Sequence, residues 1–390
     1  MKNERRYLDH AATTPLDPEV FKIMKPYFTE KFGNPSSIHE TGHGAKVAIK
    51  KAREQVAKVL HCRPNEILFT SGGTESDNLA LKGVAEANNW KGHIITSVIE
   101  HHAIYNTARY LKERGLDITF VKVDEKGIIN PDDILSAIKD DTILVSIMCA
   151  NNEIGTIEPI SEIGKEVKKQ GIVMHTDAVQ AGGVLSLNVD KLHIDMMSLS
   201  AHKFYGPKGI GILYVRNGTE FVPQQIGGAQ EFKKRASTEN VPGIIGLSDA
   251  LFRSDDKRKK ESDRLIGLRD FTIQKIQQEI KGAILTGHKT ERLPNNISFC
   301  FPGLEGEALV MRLSERGFDT SSGSACASGN FDASHVLLAC GLDAKVALGS
   351  LRVAIGKSTT KEDLELFINV LKEEVKKLAK IAGIVDIAYR

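Results

Sequence analysis

The stretch "EILFTSGGTESDNLALKGVAEA", residues 66–87, decides how the chain is read. Its first five residues form an apolar, partly aromatic run of strand composition. Gly72 and Gly73 then make a turn, and the remainder reads as a helix. A strand passing through glycines into a helix is the repeating unit of α/β proteins. The alternation continues outward through apolar runs at 93–98 ("HIITSV"), 118–123 ("ITFVKV"), 142–148 ("TILVSIM"), 171–176 ("GIVMHT"), 194–200 ("IDMMSLS") and 211–215 ("GILYV"). Helical patterns such as "PISEIGKEVKKQ" lie between several of them. Strands apolar on both faces and interleaved with helices predict a mainly parallel sheet.

The pattern changes from about 247 to 282, where it becomes long and helical and includes the charge run "DDKRKKESDR". Such a run reads as a solvated helix face. Beyond it come "NISFCF", a helix at "GEALVMRLSERG", a Gly/Ser-rich loop, "GSLRVAIG" and a closing helix from about 360, which together predict a smaller α+β unit. A length of 390 residues accommodates two domains, and 41% hydrophobic with 26% charged residues is an ordinary globular balance.

Lys+Arg 52 against Asp+Glu 50 leaves a net charge of +2, so no whole-molecule field draws nucleic acid or an anionic membrane. The opening "MKNERRYLDH" lacks an apolar stretch, and no run approaches membrane-spanning length. Five cysteines without a CxxC pair indicate reduced thiols and a cytoplasmic location.

In open α/β sheets ligands gather at the carboxyl ends of strands. The polar residues at those ends are Gly72, Gly73, Thr74 and Glu75; Glu100, His101 and His102; Asn151, Asn152 and Glu153; Asp177 and Gln180; and Ser200, His202 and Lys203. "TSGGTES" (70–76) offers helix-end amides suited to phosphate, the alternative being a capped helix after a tight turn. Asp177 either caps the next helix or, as a carboxylate past a buried strand, pairs with a cation such as a protonated pyridine nitrogen. Lys203, crowded by His202 at a strand end, is suited to Schiff-base chemistry through a lowered pKa. Phosphate cradle, ring-nitrogen carboxylate and reactive lysine together describe a pyridoxal phosphate site. Lys208 is the competing lysine, set in a Gly-Pro turn that projects into solvent.

"DTSSGSACASGN" (319–330) places Cys326 among small residues in a loop, an arrangement that suits a nucleophilic thiol. Cys62, Cys149, Cys300 and Cys340 sit in apolar or helical contexts and read as packing residues. "HETGH" (39–43) matches HExxH, yet Gly42 and Gly44 weaken a helix there and no third ligand follows, so no metal site is expected.

With these residues assembled, the chain resembles the cysteine desulfurases of the nitrogen-fixation and iron–sulfur-cluster type, class V of the fold-type I pyridoxal phosphate enzymes. The resemblance runs nearly end to end through "YLDHAATTP", "FGNPSSIHETGHGA", "FTSGGTESDN", "NNEIGTIEPI", "HTDAVQAGG", "SLSAHKFYGPKGIG", "ASTENVPGIIG", "SSGSACASG" and "GSLRVAIG". It implies a large domain at 16–255 with a mainly parallel seven-stranded sheet. It also implies a smaller α+β domain from 1–15 and 256–390 that carries the cysteine loop.

The resemblance implies a role for each matching residue. Lys203 would be the Schiff-base lysine, His101 would stack on the cofactor ring, Asp177 would pair with the ring nitrogen, and Gln180 would contact the phenolic oxygen. Gly73, Thr74, Ser200 and His202 would hold the phosphate, with Thr238 reaching in from the second subunit of a homodimer. Arg352, helped by Asn34 and Asn152, would bind the substrate carboxylate. Cys326 would take sulfur from L-cysteine as a persulfide, releasing L-alanine, and would also suit transient iron–sulfur ligation.

The sulfur would pass to an iron–sulfur scaffold or a tRNA-thiolation acceptor, with no direct nucleic-acid or membrane binding. The chain departs from the family pattern at Ala354, where Ser or Thr is usual, and in "GNFDASH" after the cysteine, which lacks a proline. Selenocysteine lyase, or another pyridoxal phosphate lyase or transaminase, is the competing enzyme reading. A non-catalytic sulfur-assembly platform is the reading from a different class.

Overall fold

In the computed structural model, which describes residues 5–323 and 333–383, the seven apolar runs form one sheet. Its strands are β1 (Ile67–Thr70), β2 (His93–Ser97), β3 (Asp117–Val121), β4 (Thr142–Ser146), β5 (Val173–Asp177), β6 (Met196–Ser200) and β7 (Gly211–Val215). The spatial order is β1-β7-β6-β5-β4-β2-β3. Only β7 runs against its neighbours β1 and β6, and every other pair is parallel.

All residues of β1, β2, β6 and β7 are buried, because helices cover both faces. One face packs Val56, Leu60, Phe69, Val145, Met197 and Tyr214 in a single apolar cluster. Leu68, Leu81, Ile94, Leu111 and Leu144 pack on the other. Parallel order brings the carboxyl ends of β1, β2, β4, β5 and β6 to one edge.

The HExxH stretch behaves differently from expectation. Residues 40–43 form the first turn of α1 (Glu40–Leu60) despite Gly42 and Gly44. His39 is its N-cap, Nδ1 accepting the Gly42 amide at 3.3 Å. A Cβ at position 42 would meet the carbonyl oxygens of Asn34 and Ser37 at 2.6 Å, so the glycine admits close packing. The helix is carried by its buried face, Ala45, Ile49, Ala52 and Val56.

The turn glycines after β1 lead into α2 (Gly73–Ala87), and β2 leads into α3 (His102–Glu113). The long helical region is two helices, α4 (Val241–Asp256) and α5 (Arg258–Glu279). It begins earlier than periodicity predicts because Asn240 caps it, accepting the Gly243 amide at 3.0 Å. The charge run spans the junction with local ion pairs, Arg258–Asp255 at 2.9 Å and Arg264–Glu261 at 2.7 Å.

A second, three-stranded sheet pairs β8 (Ile284–Leu285), β9 (Asn296–Cys300) and β10 (Ser350–Ala354) antiparallel, with β9 central. It is covered by α5, α6 (Gly306–Glu315) and α7 (Lys361–Ile381). Leu8 joins Leu265, Phe299, Leu309, Val353 and Phe367 in this core, so the amino-terminal segment packs with residues hundreds of positions away. Among the described residues no helix is long and apolar enough to cross a membrane.

Candidate active site

At the carboxyl edge of the large sheet lies a cavity of about 410 Å³. It is lined by Gly73, Thr74, His101, Asn152, Asp177, Gln180, Ser200, His202, Lys203 and Arg352, all proposed from sequence. Asp9, Ala11, Ala12 and Asp77 also line it, and sequence reasoning assigned them no role. The other two candidates lie outside this lining, for Asn34 and Thr238 are exposed. Cys326 falls outside the described residues.

Asp177 ends β5, 6% exposed, and its Oδ1 accepts the Val179 amide at 2.9 Å. Burial raises its pKa against the downward pull of His101 and Lys203. His101 is the N-cap of α3, with Nδ1 accepting the Ala103 amide at 3.2 Å. That acceptor role leaves the proton of a neutral imidazole on Nε2. Burial lowers the His101 pKa, which favours the neutral ring.

Asp77 projects from α2 and is 1% exposed. One ligating atom each from Asp77, His101 and Asp177 lies within 4.8 Å of the others. Burial first, then the Asp177 charge, raises the Asp77 carboxyl well above its ordinary value. Behind it the neutral His175 imidazole, driven down to about 3 by burial, bridges Ser146 Oγ at 2.9 Å and Ser198 Oγ at 3.0 Å.

Lys203 follows β6 on a single turn of 3₁₀ helix, Ala201–Lys203. Its Nζ donates to the carbonyl oxygens of Ala11 at 2.6 Å and Ala12 at 2.7 Å. Gln180 Nε2 donates to the same Ala11 oxygen at 3.0 Å. His202 Nδ1 lies 3.1 Å from Thr13 Oγ, and its pKa falls to about 4 through burial and the charges of Lys203 and Lys208.

Arg352, on β10, donates from Nη1 to the Asn152 carbonyl at 3.0 Å and from Nη2 to Asp9 Oδ1 at 2.9 Å. Its Nε is buried and has no hydrogen-bond partner among the described residues. Residues 9–13 thus form a strap that touches Arg352, Lys203, Gln180 and His202. Tyr7 closes the strap, its hydroxyl sharing one proton between the carbonyl oxygens of Asp9 at 3.0 Å and Thr13 at 2.9 Å.

Beside the cavity a second hollow, lined by Thr13, Gly72, Gly73, Thr74, Ser200, His202 and Lys208, opens at the start of α2. The first amides of a helix lack intrahelical partners and favour an anion. A Cβ at position 73 would meet Val179 Cγ2 at 2.8 Å, so any larger residue here must displace that side chain. Lys208 is exposed, as its turn predicts.

The donor set fits pyridoxal phosphate. A dry carboxylate stands ready for a cationic ring nitrogen, a lysine amine lines the same cavity, and hydroxyls, an imidazole and helix amides are gathered for a phosphate. Asp77 Oδ1 and Arg352 Nε lack a hydrogen-bond partner among the described residues, although His175 Nε2 stands 3.8 Å from Asp77 Oδ1.

Other strand-end residues serve the scaffold. Glu75 pairs with Arg235 at 2.8 Å. Glu100 accepts from Ser97 Oγ at 2.6 Å and the Met148 amide at 3.0 Å. Asn151 Oδ1 accepts the Glu153 amide at 2.8 Å, and Glu153 itself accepts from Ser334. Cys62, Cys149, Cys300 and Cys340 are free thiols pushed up to about 12 by burial, as packing residues should be.

Comparison with known proteins agrees with this geometry. Residues 6–367 match the family described as aminotransferase class-V. Cysteine desulfurase IscS of Dictyoglomus turgidum is 50% identical over 377 residues, covering 96% of each chain. A solved NifS-like protein superposes with a TM-score of 0.90 at 39% identity, over 96% of this chain and 100% of that one. SspA in complex with cysteine gives a TM-score of 0.80 at 38% identity, over 90% of this chain and 98% of that one.

Proposed function

Because this chain belongs to the aminotransferase class-V family and, within it, to the cysteine desulfurases, we propose that it converts L-cysteine to L-alanine with pyridoxal phosphate. The sulfur is captured as a persulfide on Cys326 and passed to an acceptor in iron–sulfur cluster assembly or tRNA thiolation. One observation carries the reading: Lys203, Asp177, His101 and Arg352 line a single cavity at the sheet's carboxyl edge.

Asp177, Gln180, Asn152 and His101 hold the cofactor ring in this reading. Gly73, Thr74, Ser200, His202 and Thr238 of the partner subunit hold its phosphate. The exposure of Thr238, away from its own chain's cavity, suits that task in a homodimer. Pyridoxal phosphate, when bound, supplies an electron-accepting ring that stabilises negative charge at the substrate Cα.

Lys203 Nζ would hold the cofactor covalently and would take the proton from the substrate Cα. The carbonyls of Ala11 and Ala12 orient that amine for both tasks. His101 is a second proton carrier through Nε2. Arg352 binds the substrate carboxylate with its fork, assisted by Asn152 and by Asn34. The Cys326 thiolate attacks the substrate sulfur, so that an S–S bond forms as the C–S bond breaks. The carbon fragment leaves as alanine after protonation.

The division into residues 16–255 and 1–15 with 256–390 belongs to the same reading, supported by the packing of Leu8 in the second core. A cytoplasmic location is part of it too, supported by four free thiols among the described residues. Borohydride reduction of the yellow protein followed by peptide mapping tests the cofactor assignment. A pyridoxyl group on Lys203 is the expected result. A label on Lys208, or none, contradicts it.

A further inference from the structure

Five charge-bearing side chains line the cavity besides its histidines: Asp9, Asp77, Asp177, Lys203 and Arg352. Asp177 is assigned to the ring nitrogen, and Asp77 is buried behind it. Asp9 is the acid that pairs with the substrate-carboxylate arginine, Oδ1 to Nη2 at 2.9 Å, with side chains 18% and 5% exposed. Its carbonyl oxygen is held by the Tyr7 hydroxyl at 3.0 Å and by the Ala12 amide at 3.0 Å.

We propose that Asp9 is a specificity-determining residue that restricts the site to amino acids bearing a single carboxylate, excluding dicarboxylic and sulfinic side chains. The proposal rests on Arg352 as the carboxylate site. An α-amino acid entering as a zwitterion brings one negative and one positive charge to the balanced Arg352–Asp9 pair, and the local sum stays zero. A second anionic group on the side chain leaves one charge unmatched in a confined space.

Like charges a few ångströms apart at a partly buried site repel strongly enough to shift relative affinity by about tenfold. Lys203, the other cation in the lining, is committed to the cofactor in this reading, and no further lysine or arginine lines the cavity among the described residues to offset the repulsion. A neutral thiol or selenol side chain meets no such opposition. Asp9 thereby separates a cysteine-type substrate from aspartate or cysteine sulfinate by charge rather than by size.

Asparagine keeps the Oδ1 acceptor for Arg352 and removes the charge, so Asp9→Asn separates electrostatics from positioning. The test titrates the pyridoxal phosphate holoenzyme with L-alanine and with L-aspartate, following the cofactor's visible absorption at equilibrium. Wild type is expected to bind alanine more tightly than aspartate. Asp9→Asn should shift the ratio of dissociation constants toward aspartate by about tenfold. Asp9→Ser should move it in the same direction, covering the case of a poorly folded asparagine variant.

An unchanged ratio in both variants overturns the proposal, including when both ligands weaken equally, because Asp9 would then only position Arg352. Arg352→Gln serves as the separate arm for the underlying reading. If it binds alanine as wild type does, the carboxylate site lies elsewhere and the Asp9 proposal falls with it.

Discussion

Asp77 and Asp177, one on a helix and one at a strand end, bring carboxyl oxygens within 4.8 Å of each other beneath the candidate cofactor cavity. Neither is more than 6% exposed. Two like charges so close and so dry do not both ionise readily, and the Asp77 carboxyl rises well above its ordinary value. Burial raises Asp177 too, yet the Lys203 charge pulls it back, so Asp177 is the carboxylate better placed to meet a cationic ring nitrogen.

Glu100 extends this buried acidity and gives a stability prediction. Its pKa is raised to about 8, chiefly by desolvation. A carboxyl raised on folding stabilises the fold fully below its unfolded pKa and loses that contribution as pH rises through about 8. The ligand-free protein should therefore lose stability between pH 5 and pH 9. Glu100→Gln should flatten that fall by an amount on the order of a few kcal/mol, read from urea unfolding across pH. An equally steep fall in the variant would show that Glu100 does not govern it.

The fork of Arg352 is engaged by Asn152 and Asp9 through separate nitrogens, and a lysine cannot reproduce both contacts. Arg352→Lys should raise KM for L-cysteine by about 10- to 100-fold, with a smaller effect on kcat. Steady-state alanine formation measures both. A change in kcat alone would contradict carboxylate binding at this residue.

Tyr7 closes the strap from outside the cavity through one proton shared between two carbonyls, and burial pushes its hydroxyl up to about 12, so it remains a donor at neutral pH. Tyr7→Phe should destabilise the protein by about 1–2 kcal/mol. Because the strap orients Lys203 and Arg352, the variant should also slow turnover while the cofactor still attaches. Thermal unfolding and the cofactor absorption band report the two effects separately.

Much of this architecture was legible in the sequence because the large sheet is built from local signals. Its seven strands announce themselves as apolar runs, and the strand-end rule places Asp177, His101 and Lys203 together without coordinates. What was not legible depends on distant chain segments. Asp9 and Arg352 are 343 positions apart, and nothing near Asp9 signals its partner. "YLDHAATTP" was noticeable as a motif, yet the use of Ala11 and Ala12 by their carbonyls leaves no trace in residue type. Nothing in the sequence singles out Asp77, which gains its meaning from lying beside Asp177 in the fold. The glycines at 42 and 44 misled because buried helix contacts outweigh intrinsic propensity.

The most direct test of the desulfurase account measures alanine and sulfide released from L-cysteine with a reductant present, comparing wild type with Cys326→Ala and checking that both retain the cofactor's visible absorption. The account predicts equal amounts of alanine and sulfide from wild type. It predicts a loss of about a thousandfold or more in the variant, whose cofactor site is unchanged. Undiminished sulfide release from Cys326→Ala would contradict it, because sulfur would then leave without passing through that thiol.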